Sequence, residues 1–109
     1  MDEEIEEEQM EQELFVEANN LIFRKSFTLI MLSLLESPKN KTGIYKDTFV
    51  TYAHLHKVID VLQNLGLIEF QKNGREVVVK LTQPGEEVAR RLKEIVEIIR
   101  KLPTNKGMK

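Results

Sequence analysis

The only two histidines of the 109-residue chain fall in one short stretch, Tyr52, Ala53, His54, Leu55, His56 and Lys57. A phenol, two imidazoles and an ammonium this close together could serve acid–base catalysis, metal ligation or hydrogen-bonded recognition. Catalysis lacks partners: no serine or cysteine nucleophile pattern accompanies the histidines, no glycine-rich phosphate loop occurs, and most acids sit in one run. Metal ligation by the pair is disfavoured, because residues two apart on a helix point in separated directions and no third ligand is evident. Neither enzymatic activity nor a metal or other cofactor is expected. Recognition remains, against the plainer alternative that both imidazoles are solvated and Tyr52 is a partly packed surface aromatic.

These residues need a helix to present them, and the pattern around them supplies one. Thr51 can cap a helix over residues 52–65 in which Leu55, Ile59 and Leu62 recur at four- and three-residue steps, with Val58 beside them. That inward stripe leaves Tyr52, Ala53, His54, His56 and Lys57 outward. A shorter helix over residues 43–48, capped by Thr42, precedes it with Ile44 and Phe49 inward, and a turn at Phe49-Val50 joins the two. Two helices linked this way form a helix-turn-helix pattern.

Upstream, residues 21–35 (LIFRKSFTLIMLSLL) are apolar on nearly all sides and read as the central buried helix, preceded by the capping residues Asn19-Asn20 and ended by Ser37-Pro38. Downstream, Gly66 suits a helix C-terminus, and the period changes from 3.6 to 2. Residues 67–71 and 76–81 read as strands around Asn73-Gly74, the pair a two-residue type I′ hairpin prefers; Lys72, Asn73, Gly74 and Arg75 would form its tip. Val77, Val79 and Leu81 would face the core, with Val78 and Lys80 outward. Pro84-Gly85 opens a last helix in which Val88, Leu92, Ile95, Ile99 and Leu102 step by 4, 3, 4 and 3.

Composition sets the frame. With 41% hydrophobic and 31% charged residues the chain is expected to be one compact globular domain. The absence of cysteine excludes a disulfide scaffold and every zinc site that needs sulfur, and a cytoplasmic setting is compatible. The acidic N-terminus does not read as an export signal, and no apolar run approaches the roughly 18–20 residues that span a bilayer, so no membrane partner is expected. The formal net charge of −2 conceals a division. Residues 1–13 hold eight acids and no base; the remaining residues hold 16 bases against 10 acids. An acidic arm is therefore attached to a basic body.

The expected organisation is an acidic helical arm over residues 1–20, whose narrow stripe includes Met10, Leu14 and Ala18, then a body over 21–82, a terminal helix over 83–103, and a disordered basic tail over 104–109. The fold class is mainly α with a small β-hairpin (α+β).

The order helix, short helix, turn, helix, hairpin, long helix is that of a winged helix-turn-helix with helical extensions at both ends. Residues 51–69, TYAHLHKVIDVLQNLGLIE, resemble the recognition helix and first wing strand of prokaryotic winged-helix regulators. Residues 79–92, VKLTQPGEEVARRL, are similar to the Leu-Thr-x-x-Gly entry into the helix after the wing in the MarR and PadR groups. The turn between the paired helices departs from that pattern in lacking the common glycine.

This resemblance implies a DNA-binding transcription regulator. Tyr52, Ala53, His54, His56 and Lys57 would enter the major groove, where the N-terminal part of a recognition helix reaches base edges. Lys72, Asn73 and Arg75 at the wing would follow phosphates or a minor groove, and Lys39, Lys41 and Lys46 would meet the backbone beside the groove. The alternatives are that the wing cations keep a hairpin edge soluble and that the three lysines belong to a solvated loop. The terminal-helix seam of Val88, Leu92, Ile95, Ile99 and Leu102, joined by Met10 and Leu14, would form a homodimer, unless that helix packs back on its own domain. A two-fold dimer would address double-stranded DNA at an inverted repeat. The competing function is a winged-helix protein-interaction and assembly module without base readout.

Overall fold

The computed structural model describes residues 6–10, 12 and 24–103. Four helices and one hairpin follow in the order α1 (Lys25–Glu36), α2 (Lys41–Thr48), α3 (Tyr52–Asn64), β1 (Ile68–Asn73), β2 (Glu76–Leu81) and α4 (Gln83–Lys101). Residues 6–10 are also helical, within the expected arm, and Met10 is exposed. Leu14, Ala18, Asn19-Asn20 and the tail over 104–109 lie outside the described residues. Among the described residues no helix is long and apolar enough to cross a membrane.

The core is a single cluster in which α1 is central. Phe27, Ile30, Met31 and Leu34 of α1 meet Ile44 of α2, Leu55, Val58, Ile59 and Leu62 of α3, Ile68, Val79 and Leu81 of the hairpin, and Ala89 of α4. No residue from Ser26 to Leu35 is fully exposed, as an all-round apolar helix requires. α1 begins at Lys25, since Arg24 is extended (φ −96°, ψ 136°); residues 21–23 of the expected helix lie outside the described residues. Its end matches expectation, with Ser37 extended before Pro38.

α2 begins two residues earlier than Thr42 indicates. Asn40 is its cap, the Oδ1 accepting from the Gly43 amide at 2.8 Å. Its C-terminal cap is the larger departure. Phe49, expected inward, is 78% exposed, and it adopts the left-handed conformation (φ 57°) while its amide donates to Tyr45 O at 2.7 Å. The turn needs a positive φ at this position, the conformation that glycine commonly supplies. A side chain held in that conformation points away from the core, and Val50 fills the core instead.

Antiparallel pairing of Ile68 with Leu81 and of Phe70 with Val79 fixes the hairpin register and leaves Gly74 and Arg75 as the two-residue turn. The turn is thus one residue beyond the expected Asn73-Gly74. Gly74 has φ +68° whereas Asn73 is a strand residue, so positive φ falls only on the first central position, as in a type II′ turn. Val79 and Leu81 are buried as expected, but Val77 is 48% exposed, because the outer half of the hairpin projects past the core.

At its base the hairpin is held firmly. Lys39 pairs through its backbone with Val79 in both directions, at 3.1 and 2.7 Å, adding a one-residue third strand. Thr82 caps α4 by accepting from the Gly85 amide at 3.1 Å, and its hydroxyl donates to Gly66 O at 2.6 Å. Gly85 packs so tightly on the chain before β1 that a Cβ there would sit 1.9 Å from Leu67 O. That close approach gives the Leu-Thr-x-x-Gly pattern a physical reason.

Candidate functional site

α3 is oriented by the four apolar residues that define its inward face. Leu55, Ile59 and Leu62 are fully buried and Val58 nearly so, while the Thr51 hydroxyl accepts from the His54 amide at 3.4 Å to close the first turn. The opposite face exposes Ala53, His56, Lys57 and, one turn on, Asp60. Asp60 escapes a reading confined to the N-terminal half of the helix. Its signal was its place three and four residues after Lys57 and His56.

The two histidines part company. His56 is exposed on the outward face, and its Nδ1 accepts from the Lys41 ammonium at 3.0 Å. His54 is half-buried, and its Nε2 lies 2.9 Å from the Ser26 hydroxyl. Ser26 is itself buried, so this contact ties α3 to the first turn of α1. The expectation that His54 faces fully outward is corrected accordingly: at about 100° per residue it flanks the Leu55 and Val58 stripe, where α1 meets it.

Tyr52 is part of a small aromatic stack. Its ring lies against that of Tyr45, centroids 4.9 Å apart and planes 13° apart, and its hydroxyl reaches the Thr42 Oγ1 at 3.4 Å. Phe49 meets Tyr45 edge-on at 6.4 Å. Tyr52 is still 44% exposed, so both its partly packed character and an outward edge hold.

The three lysines before and within α2 have different surroundings. Lys39 is largely covered: its Nζ donates to Ser33 O, lies 3.1 Å from the Asp47 carboxylate and 4.0 Å from Glu36. Ser33 also donates to Asp47 at 2.8 Å. The Ser33 hydroxyl first, and then Lys39, hold the Asp47 carboxyl below its ordinary value of 3.8, against an opposing desolvation. Lys39 is therefore a structural cation that joins α1, α2 and the base of the hairpin, rather than a free group for phosphate. Lys41 stands at the start of α2 between His56 and the Phe70 ring, 5.9 Å from that ring's centroid. Lys46 is exposed in the last turn of α2. At the hairpin tip Lys72, Asn73 and Arg75 are all exposed.

The seam of the terminal helix divides in two. Val88 and Leu92 pack against the core of their own domain, and Gly85 and Ala89 are fully embedded there. Ile95, Ile98, Ile99 and Leu102 are more than half exposed. The helix thus packs back over its first half, and its second half carries an uncovered apolar row. Two pairs, Glu86 with Arg90 and Glu87 with Arg91, line its outer side.

A three-helix core, a third strand of one residue, a two-stranded wing and an outward-facing helix after a tight turn define the winged helix-turn-helix class. A sequence model described as winged helix-turn-helix matches residues 24–100, and the chain belongs to that family. Among solved structures the chain is similar to AF1382 from Archaeoglobus fulgidus, with a TM-score of 0.67 at 17% identity over 76% of this chain and 97% of that one. It is similar to the transcriptional repressor BigR from Xylella fastidiosa, with a TM-score of 0.67 at 18% identity over 89% and 99% of the two chains. A possible HxlR family transcriptional factor from Thermoplasma volcanium follows at a TM-score of 0.63, with 24% identity over 74% and 76%. No curated protein matches the chain.

Proposed function

We propose that the protein is a homodimeric, sequence-specific regulator of transcription that binds double-stranded DNA at an inverted repeat. The observation that carries the reading is the outward face of α3: Ala53, His56 and Lys57 are exposed beside the edge of Tyr52, on a helix locked from behind by Leu55, Ile59 and Leu62. A rigid helix with a small residue and hydrogen-bonding groups near its N-terminus suits the major groove. The exposed Lys72, Asn73 and Arg75 at the projecting wing tip suit phosphates or an adjacent minor groove, and Lys41 and Lys46 suit the backbone beside α2. The similar structures include one described as a transcriptional repressor and one described as a possible transcriptional factor, which supports the same reading.

The dimer interface in this reading is the uncovered row Ile95, Ile99 and Leu102, continued by Val88 and Leu92 where these remain accessible, with Met10 and Leu14 of the arm as further contributors. Two copies joined there would set their α3 helices about one turn of DNA apart, roughly 34 Å, or a multiple of it.

Duplex binding measured across salt tests the reading. If about six phosphates are neutralised per protomer, log K falls against log[salt] with a slope of about −5 per protomer. Replacing Lys57, Lys72 and Arg75 by alanine should reduce both affinity and slope. A protein that binds no duplex, yet retains an assembly partner after those substitutions, would instead be an interaction module.

A further inference from the structure

The angle between α3 and the wing holds a contact that constrains a proton. The Lys41 ammonium and His56 Nδ1 are 3.0 Å apart. An ammonium has three donors and no lone pair, so Nδ1 must be the acceptor and the imidazole must carry its single proton on Nε2. A second proton on Nδ1 would abolish this hydrogen bond and set two cations against each other. The Phe70 ring closes the floor beneath the ammonium, 5.9 Å away.

The other charged groups around this angle come from three elements. On α3, Lys57 adjoins His56 and Asp60 lies one turn on; on β1, Lys72 shares the side of Phe70; on β2, Glu76 accepts from Asn40, the residue before Lys41. Cations outnumber acids here once Lys41 is included, and Glu76 is already engaged.

Lys41 touches α3 through His56 and the wing through Phe70, so its ammonium stands between the two elements that the DNA-binding reading sets on the duplex. We infer that Lys41 and His56 form one seat for a backbone phosphate at the edge of the groove, leaving Tyr52, Ala53 and Lys57 for the base edges, and that filling this seat is coupled to uptake of one proton by His56. The inference rests on the DNA-binding reading above. When a phosphate oxygen enters, a Lys41 N–H turns from Nδ1 to that oxygen. The freed Nδ1 lone pair takes a proton from solvent, and the resulting imidazolium donates to the same phosphate. The N–H bond formed at Nδ1 is balanced by the O–H bond broken in the hydronium ion that supplies the proton, leaving water, and the phosphate balances the charge the imidazole gains.

The chain makes the test simple because it has two histidines, and His54 is engaged elsewhere with Ser26. Binding to a mixed-sequence DNA duplex at low, constant ionic strength should tighten as pH falls from about 8 to about 6, by no more than about tenfold per unit for uptake of one proton. His56→Gln should remove that rise, and His54→Gln should keep it. Lys41→Ala should weaken binding and flatten the dependence. Calorimetry of the wild-type protein in two buffers of different ionisation enthalpy should register proton uptake that His56→Gln abolishes. Duplex binding with no pH dependence, or with the same dependence in His56→Gln, would overturn the inference and leave the DNA-binding reading intact. Failure to bind duplex at any pH would overturn both.

Discussion

The two halves of α4 are written in the same heptad pattern and meet opposite surroundings. In the first, Gly85 and Ala89 are buried and Val88 and Leu92 lean on the core; in the second, Ile95, Ile98, Ile99 and Leu102 stand between 53% and 61% exposed. The difference lies in what each half has beneath it. The first half begins on the backbone of Leu67 and runs alongside α1, so small residues let it approach closely. The second extends past that support, and its apolar row has no cover from the described residues of its own domain. One helix is thus a core element at its start and carries an uncovered apolar row at its end. A repeat read along the sequence cannot separate the two halves, because the heptad pattern is the same in both.

The largest effect should come from breaking the inner half. Gly85→Ala places a methyl group 1.9 Å from the Leu67 carbonyl oxygen, which forces α4 off the hairpin base. Thermal or denaturant unfolding should show a loss of about 3 kcal/mol, at the upper end for overpacking a tight site. A change under about 0.5 kcal/mol would mean that this contact is not tight.

The connection on the other side of the hairpin base should matter less. Lys39→Met would leave the Ser33 carbonyl and the Asp47 carboxylate without their cation, with an expected loss of about 1–2 kcal/mol by denaturant titration. The same network predicts an acid response. Asp47 is held below its ordinary value of 3.8 in the folded state, so its stabilisation is complete above that value and is lost as pH falls through the lower folded value. Unfolding followed from pH 5 downward should show part of the acid loss disappearing in Asp47→Asn.

A smaller effect of opposite sign is expected at the turn. Phe49→Gly relieves a left-handed φ of 57° and removes an exposed aromatic, so stability should rise by about 0.5–1 kcal/mol. A drop instead would show that the edge-on contact with Tyr45 outweighs the backbone strain.

The smallest change in stability should come from the outer half of α4, and it carries the most information. Ile95→Glu should alter the monomer's unfolding free energy by no more than about 0.5 kcal/mol, since the side chain is exposed. In the proposed dimer it should nonetheless lower the sedimentation coefficient to that of a monomer and weaken duplex binding. An unchanged coefficient and affinity would remove this surface from the interface. Removing residues 1–13, with their eight carboxylates, should tighten non-specific duplex binding at low salt if the arm competes with phosphate for the basic body.

What the sequence made legible was periodic and local. The stripe of Leu55, Ile59 and Leu62 defined the inward face of α3, Thr51 its cap, and Pro38 the end of α1, all features set by neighbours a few residues away. The errors share a different cause. Lys39 looked like a free basic residue because its partners, Asp47 and Ser33, are brought to it by the packing of α1 on α2. His54 looked outward because Ser26 lies 28 positions upstream. The hairpin turn shifted by one residue because pairing with the core at Ile68–Leu81 and Phe70–Val79, and with Lys39, outranked the local preference of Asn73-Gly74 for a type I′ turn. Phe49 was read by hydrophobicity where the backbone geometry of a tight turn decided its direction.

The central claim is that the outward face of α3, presented by a two-fold dimer, reads DNA sequence. Selection of bound fragments from a random duplex pool tests it most directly. Enrichment of an inverted repeat whose half-sites lie about one helical turn apart, about 10 base pairs, or a multiple of it, is the predicted result. Retention of duplex without any enriched sequence, or no retention at all, would contradict it.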